Sequence, residues 1–220
     1  MRNQAVTFFL LAFPALFSIV NPIGGAFVFM SATRAVDNTM RSHLARWVAI
    51  HSFVILNVSI YVGAYVLEFF GISLPVLRVA GGVIITLTGW RLLNEGDQEE
   101  KDSSAVGQVS PEHASRIAFY PLTMPITAGP GAISVAVALG TSRPSLSAAW
   151  VSFLIGASIV TALISVIVYL LYRNASWVSR AMGPTATTIV MRLSAFVLFC
   201  IGIQVLWTGV AELLKTLQSQ

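Results

Sequence analysis

Apolar residues run along this chain in long blocks, with polar residues gathered between them. The blocks cover 5–33, 47–70, 74–93, 117–140, 148–172 and 188–214, and each reaches the roughly 20 residues that an α-helix needs to cross a bilayer. The pattern therefore predicts six transmembrane helices. At roughly 20 residues apiece these use about 120 residues, and the connections are too short to hold a soluble domain. Residues 1–220 read as a single integral membrane domain of the all-α polytopic class. Composition points the same way, with 56% hydrophobic and 10% charged residues and a mean hydropathy of +0.80, well outside the range of soluble globular domains.

The first block is not read as a cleaved secretory signal, because its apolar character continues past any plausible cut. Cys200 is the single cysteine, which excludes a disulfide framework or a thiolate metal site. A net charge of +4 does not suggest a nucleic-acid surface, since the basic residues are scattered along the connections, but it does suggest an orientation. Arg2, Arg78, Arg143 and Lys215 fall on one side of the predicted spans. Arg34, Arg41, Arg46, Arg91, Lys101, Arg116, Arg173, Arg180 and Arg192 fall on the other. The positive-inside rule puts the second group in the cytoplasm and both termini outside.

Residues 94–115 contain the run EGDQEEKDSS and lack hydrophobic periodicity, so they read as an acidic cytoplasmic loop. That loop divides the spans into two sets of three, repeat 1 over 5–93 and repeat 2 over 116–214. An odd number of spans per copy forces the copies into opposite orientations, which predicts an inverted repeat. Two features recur in the same order. The first span of each half carries a Gly/Pro break, NPIGG at 21–25 and AGPGA at 128–132, and the third opens with similar motifs, VLRVAGG at 76–82 and VMRLSAF at 190–196.

The breaks carry the functional expectation. Proline inside a helix removes a donor and clashes one turn back, whereas proline at the first position of a new helix is well tolerated, especially behind an Asn cap. Asn21-Pro22 and Gly129-Pro130 read as such starts. A straight helix over 5–33 would be about 43 Å long against a core of roughly 30 Å, so the first and fourth helices are expected to be discontinuous. The N–H groups of Gly24 and Gly25 would then be free. Both new N-termini would face the midplane and form a receptor for a small anion such as a carboxylate, the arrangement of secondary transporters with broken helices. Ser18, Thr123 and Thr127 lie within two turns of the breaks and are expected to satisfy freed carbonyls or to bind substrate. The alternative is that these motifs merely kink helices or let them pack closely.

Three stretches, NPIGGAFVF at 21–29, FGISLPVLRVAGG at 70–82 and RIAFYPLTMPITAGPGAIS at 116–134, closely resemble the MarC family of six-span bacterial inner-membrane proteins, and the likeness covers nearly the whole chain. The resemblance implies a plasma-membrane protein grouped with carriers of small neutral amino acids, driven by an ion gradient. Asn21, Pro22 and Gly24 fall on one family signature, and Ala128, Gly129, Pro130 and Gly131 on the other. Phe27 departs from the pattern, because many relatives carry proline there, and this puts both the start of the first half-helix and the inferred substrate in question.

Several other polar residues admit two readings. Arg78 and Arg192 sit at matching places near helix starts and serve either as structural clamps or in gating. Glu68 either pairs with Arg78 at the interface or carries a coupling proton. His51, Asn57 and Ser59 lie within the second span and are able to face a central cavity; His51 suits proton coupling but is also close enough to the predicted cytoplasmic end to be hydrated. The tryptophans at 47, 90, 150, 177 and 207 fall near span ends as headgroup anchors. No catalytic or metal-binding signature is present, so neither an enzyme nor a cofactor is expected. The expectation is a secondary transporter for a small neutral amino acid or similar zwitterion, coupled to a proton or sodium ion. The competing readings are a non-transporting membrane scaffold and an exporter of other hydrophobic compounds. Oligomeric state is left open.

Overall fold

The computed structural model describes residues 2–33, 36–94, 117–141 and 147–218. Residues 95–115 of the acidic stretch expected as a cytoplasmic loop, Lys101 among them, lie outside these residues, as do Arg34, Arg116 and Arg143. Every regular element among the described residues is helical: α1 (Arg2–Val20), α2 (Pro22–Ala32), α3 (Asn38–Phe69), α4 (Leu74–Asn94), α5 (Ala118–Thr127), α6 (Pro130–Gly140) and α7 (Ser147–Gln218).

Five stretches are long and apolar enough to cross a membrane, Val6–Met30, Asn38–Phe69, Leu74–Asn94, Trp150–Trp177 and Thr185–Gln218. The remaining predicted span, 117–140, is built from two short helices instead of one. Local sequence explains this. Tyr120 and Met124 have extended φ/ψ within α5, and each precedes a proline, which pushes a residue out of the α region. The π-type winding that results leaves carbonyls without their usual donors. Thr123 Oγ1 donates to Ala118 O at 2.6 Å, and Thr127 Oγ1 to Leu122 O at 2.8 Å.

The expected connection between the fifth and sixth spans also differs from the sequence reading. Residues 173–187 continue as helix, and α7 is interrupted only at Gly183, whose φ of 76° lies where a side chain would be strained. Arg173 and Arg180 therefore project from helix. Between α3 and α4, Gly71 adopts a φ of 66° and closes a Schellman motif, with Ile72 N–H donating to Leu67 O at 2.9 Å and Gly71 N–H to Glu68 O at 3.1 Å.

The core joins α1, α2, α3, α5, α6 and the first arm of α7 through Leu16, Phe29, Leu56, Leu122, Ala136 and Tyr172. Against it lies a second layer, α4 packed on the second arm of α7. Glycines permit that contact: a Cβ on Gly82, Gly89 or Gly202 would come within 2.6 Å of backbone atoms of the facing helix, so the two backbones touch directly, as at small-residue seams in membrane bundles. Outward-facing residues such as Leu10, Val54, Phe69, Leu170 and Phe196 are more than a third exposed, which suits contact with lipid.

Candidate substrate site at the helix breaks

At the first break the chain is interrupted by a single residue. Asn21 has a φ of 45°, a left-handed value that Asn tolerates better than most residues, and α2 starts on the next residue. The Asn21 side chain caps the new helix by accepting from Gly24 N–H at 3.2 Å, while its carbonyl accepts from Gly25 N–H at 2.8 Å. The expectation of free donors at Gly24 and Gly25 is therefore corrected: the Asn that starts the helix also consumes its amides. A long contact of 3.5 Å joins Asn21 Nδ2 to Ser194 O on the second arm of α7. Phe27 does not alter the start of α2; it lies in mid-helix and is buried.

The second break is built differently. Ala128, whose N–H donates to Thr123 O at 2.9 Å, and the extended Gly129 separate α5 from α6, and Gly129 makes no side-chain cap. The first-turn N–H groups of Gly131 and Ala132 follow a proline and have no capping side chain. They supply the partial positive end of a helix dipole.

The two breaks lie side by side. α1 packs on α6, and α2 packs on α5, the pairing expected when two antiparallel broken helices are interrupted at a common level. Between them is a cavity of about 100 Å³, lined at the breaks by Asn21, Gly25, Thr127, Gly129, Pro130 and Gly131 and walled by Ile84, Ile85 and Thr88 of α4 and Leu198 of α7. At the liquid share of roughly 30 Å³ per water it has the bulk of about three waters, far below the ~300 Å³ at which drug-sized sites begin.

Tyr172, on the first arm of α7, joins the breaks from behind and is not singled out by the sequence. Its hydroxyl is 2.8 Å from Thr127 Oγ1, and a Cβ on Gly25 would lie 2.4 Å from that same oxygen. The ring is fully buried and stacks on Phe29 with centroids 4.7 Å apart. No local pattern distinguishes this tyrosine, because its partners are 45 residues away or more.

Of the residues expected at the site, the cavity collects Asn21, Gly25, Thr127, Gly129, Pro130 and Gly131. Pro22, Gly24, Thr123 and Ala128 are buried beside it and do not line it; neither does Ser18. The five residues offered for coupling or gating also lie elsewhere. His51 sits between the rings of Trp47 and Phe119, at 5.6 and 5.5 Å. Asn57 Nδ2 donates to Thr161 Oγ1 at 2.7 Å, and Ser59 bonds back to Ile55 O at 2.7 Å. Arg78 forms an ion pair with Glu212, which corrects the expected pairing with Glu68, an exposed residue. Arg192 is exposed as well, so the two matched arginines differ in surroundings. Sequence reasoning counted Arg41 only as a charge. The residue is 9% exposed, and its guanidinium donates to Thr33 O at 2.9 Å and Val36 O at 3.2 Å, tying the end of α2 to the start of α3.

Long apolar helices around a small internal cavity define a polytopic helical membrane protein. Comparison with known proteins gives the family: the description "MarC family integral membrane protein" matches residues 6–214, and the chain belongs to that family. Relatives named inner membrane protein MarC in Escherichia coli (strain K12) and in Shigella flexneri are 29% identical over 211 residues, covering 94% of this chain and 95% of theirs. No solved structure matches it.

Proposed function

We propose that this protein is a secondary transporter, and not an enzyme, that moves a small neutral amino acid or similar zwitterion across the inner membrane. The observation that carries this reading is the cavity between the two breaks, bordered by Asn21, Gly25, Thr127, Gly129, Pro130 and Gly131. Its volume suits the smallest amino acids. The uncapped amides of Gly131 and Ala132 favour a carboxylate, and the Thr127 hydroxyl and the Asn21 side chain supply polar atoms for the rest of the molecule. Breaks that served packing alone would close this space.

In this reading the six crossings form two inverted three-helix repeats, with 117–140 as the fourth crossing, the termini outside and the acidic loop in the cytoplasm. Supporting this are two half-helices of 11 residues each, α2 and α6. At about 16 Å they span roughly half of a 30 Å core. Alternating access comes from one repeat rocking against the other, coupled to a proton or sodium gradient.

The test is uptake of labelled alanine, glycine and serine into proteoliposomes. Saturable uptake, competed by unlabelled neutral amino acids and abolished by Gly131→Leu, is expected, and collapsing the proton or sodium gradient in turn identifies the coupling ion. Folded wild-type protein that produces no flux with any of the three sinks the proposal.

A further inference from the structure

A second hollow, separate from the cavity between the breaks, opens on the outer side of α3 and the first arm of α7. It is an open surface depression of about 600 Å³ between Arg46, Ile50 and Phe53 of α3 and Ala162, Ser165 and Tyr169 of α7. Another hollow of about 390 Å³ shares Phe53 and Ala162 and extends it to Leu154 and Ser158. The two helices are antiparallel and in register, as the bonds Asn57–Thr161 at 2.7 Å and Tyr61–Ser158 at 2.6 Å show. Arg46 therefore stands level with Arg173. From Tyr169 to Leu154 the groove follows about 22 Å of helix, more than the ~15 Å depth of one leaflet's hydrocarbon.

Its chemistry is ordered along that length. The mouth is cationic: Arg46 is exposed and makes no hydrogen bond or ion pair among the described residues, while Arg173 Nη1 donates to the Tyr169 hydroxyl at 3.0 Å. One step inward lies Ser165, only 6% exposed, whose hydroxyl has no partner. Ser52 of α3 is likewise without a partner among the described residues, whereas Ser59, Thr161 and Thr86 bond back to their own helices. Beyond it the lining is apolar apart from Ser158, whose hydroxyl is paired with that of Tyr61. A second copy of the chain fits poorly, because a two-fold contact brings the same patch against itself and so would set a concave face on its own image and crowd four arginines together.

We propose that this groove is a binding site for an anionic phospholipid. The phosphate sits between Arg46 and Arg173, and an acyl chain follows Phe53 and Ala162 past Ser165 toward Leu154. Basic pockets between transmembrane helices recognise acidic headgroups in this way. The site is independent of what the central cavity carries.

The full chain, purified in a neutral detergent and stripped of lipid, is unfolded thermally with added phosphatidylglycerol, phosphatidylethanolamine or water-soluble glycerol phosphate. Phosphatidylglycerol is expected to raise Tm by about 8 °C, the shift for a ligand near 100 times its Kd in a domain of this size, and the other two by much less. Arg46→Gln, a change on an exposed side chain, should remove most of that difference, and Ser165→Leu, which fills the groove, the remainder. Native mass spectrometry of the wild type provides a readout that needs no variant, with phosphatidylglycerol retained in preference to phosphatidylethanolamine. Equal shifts from both lipids, an effect of glycerol phosphate alone, or an undiminished shift in Arg46→Gln overturn the proposal. So does a dimer that Ser165→Leu converts to monomer without any lipid dependence, which would assign the groove to a second copy.

Discussion

The two breaks look alike in sequence, each a proline beside glycines, and they solve the same backbone problem in opposite ways. At Asn21 the interruption is one residue long and closed on itself, with the side chain and carbonyl of the same Asn taking up the amides of Gly24 and Gly25. At Ala128–Gly129 the approach is distorted over ten residues and the new helix begins uncapped. A helix end that caps itself has little left to offer a ligand. In the proposed reading, the difference gives the anion-binding role to the second break and leaves the first as a rigid polar wall.

Substitutions at the paired glycines should expose this asymmetry most strongly. A Cβ on Gly131 would lie 2.2 Å from Ile85 Cγ1, and Gly131→Leu would fill the cavity; uptake is expected to vanish, with overpacking costing about 1–3 kcal/mol of stability. Gly24→Leu presses on the Asn21 amide, 2.6 Å from its Cβ, and should mainly remove the cap, costing about 1 kcal/mol while uptake persists at reduced rate. Parallel flux and unfolding measurements on the two variants decide this, and equal loss of uptake with equal stability would erase the distinction.

Next in size is Asn21 itself. Asn21→Ala loses the cap and places alanine in the left-handed region, for about 2 kcal/mol together. Asn21→Gly restores the backbone part, and thermal unfolding in detergent should rank it between alanine and wild type. A smaller effect links the breaks through Tyr172. Gly25→Ala clashes with the Tyr172 hydroxyl, and Tyr172→Phe removes the clashing atom, so the pair should show a coupling of about 1 kcal/mol in a double-mutant cycle. Smallest is the contrast between the two threonines. Thr123→Val and Thr127→Val each forfeit a backbone bond, about 1 kcal/mol, but only Thr127 borders the cavity, so only its replacement should raise KM for uptake.

Much of this site was legible in the sequence, because proline and glycine act on their own backbone: the starts at Pro22 and Pro130 follow from local sterics. The distortion of α5 is equally readable from the prolines after Tyr120 and Met124, whereas the expected break rested on Gly129-Pro130 alone. Long-range partners were not legible. Arg78 reaches Glu212, 134 positions away, in preference to Glu68 ten positions away, because α4 lies against the second arm of α7 along a glycine seam that hydropathy does not reveal. Tyr172 was hidden for a similar reason, being one aromatic among many in an apolar run. The free amides expected at Gly24 and Gly25 failed on a local point, since an Asn able to start a helix is also able to occupy its donors.

The most direct measurement is substrate protection of single cysteines placed at Asn21 and at Thr127 in a Cys200→Ser background, labelled with a small water-soluble thiol reagent. If one molecule lies between the breaks, alanine should slow labelling at both positions with the same half-maximal concentration. Protection at neither position, or at one alone, would contradict a shared cavity for a small zwitterion.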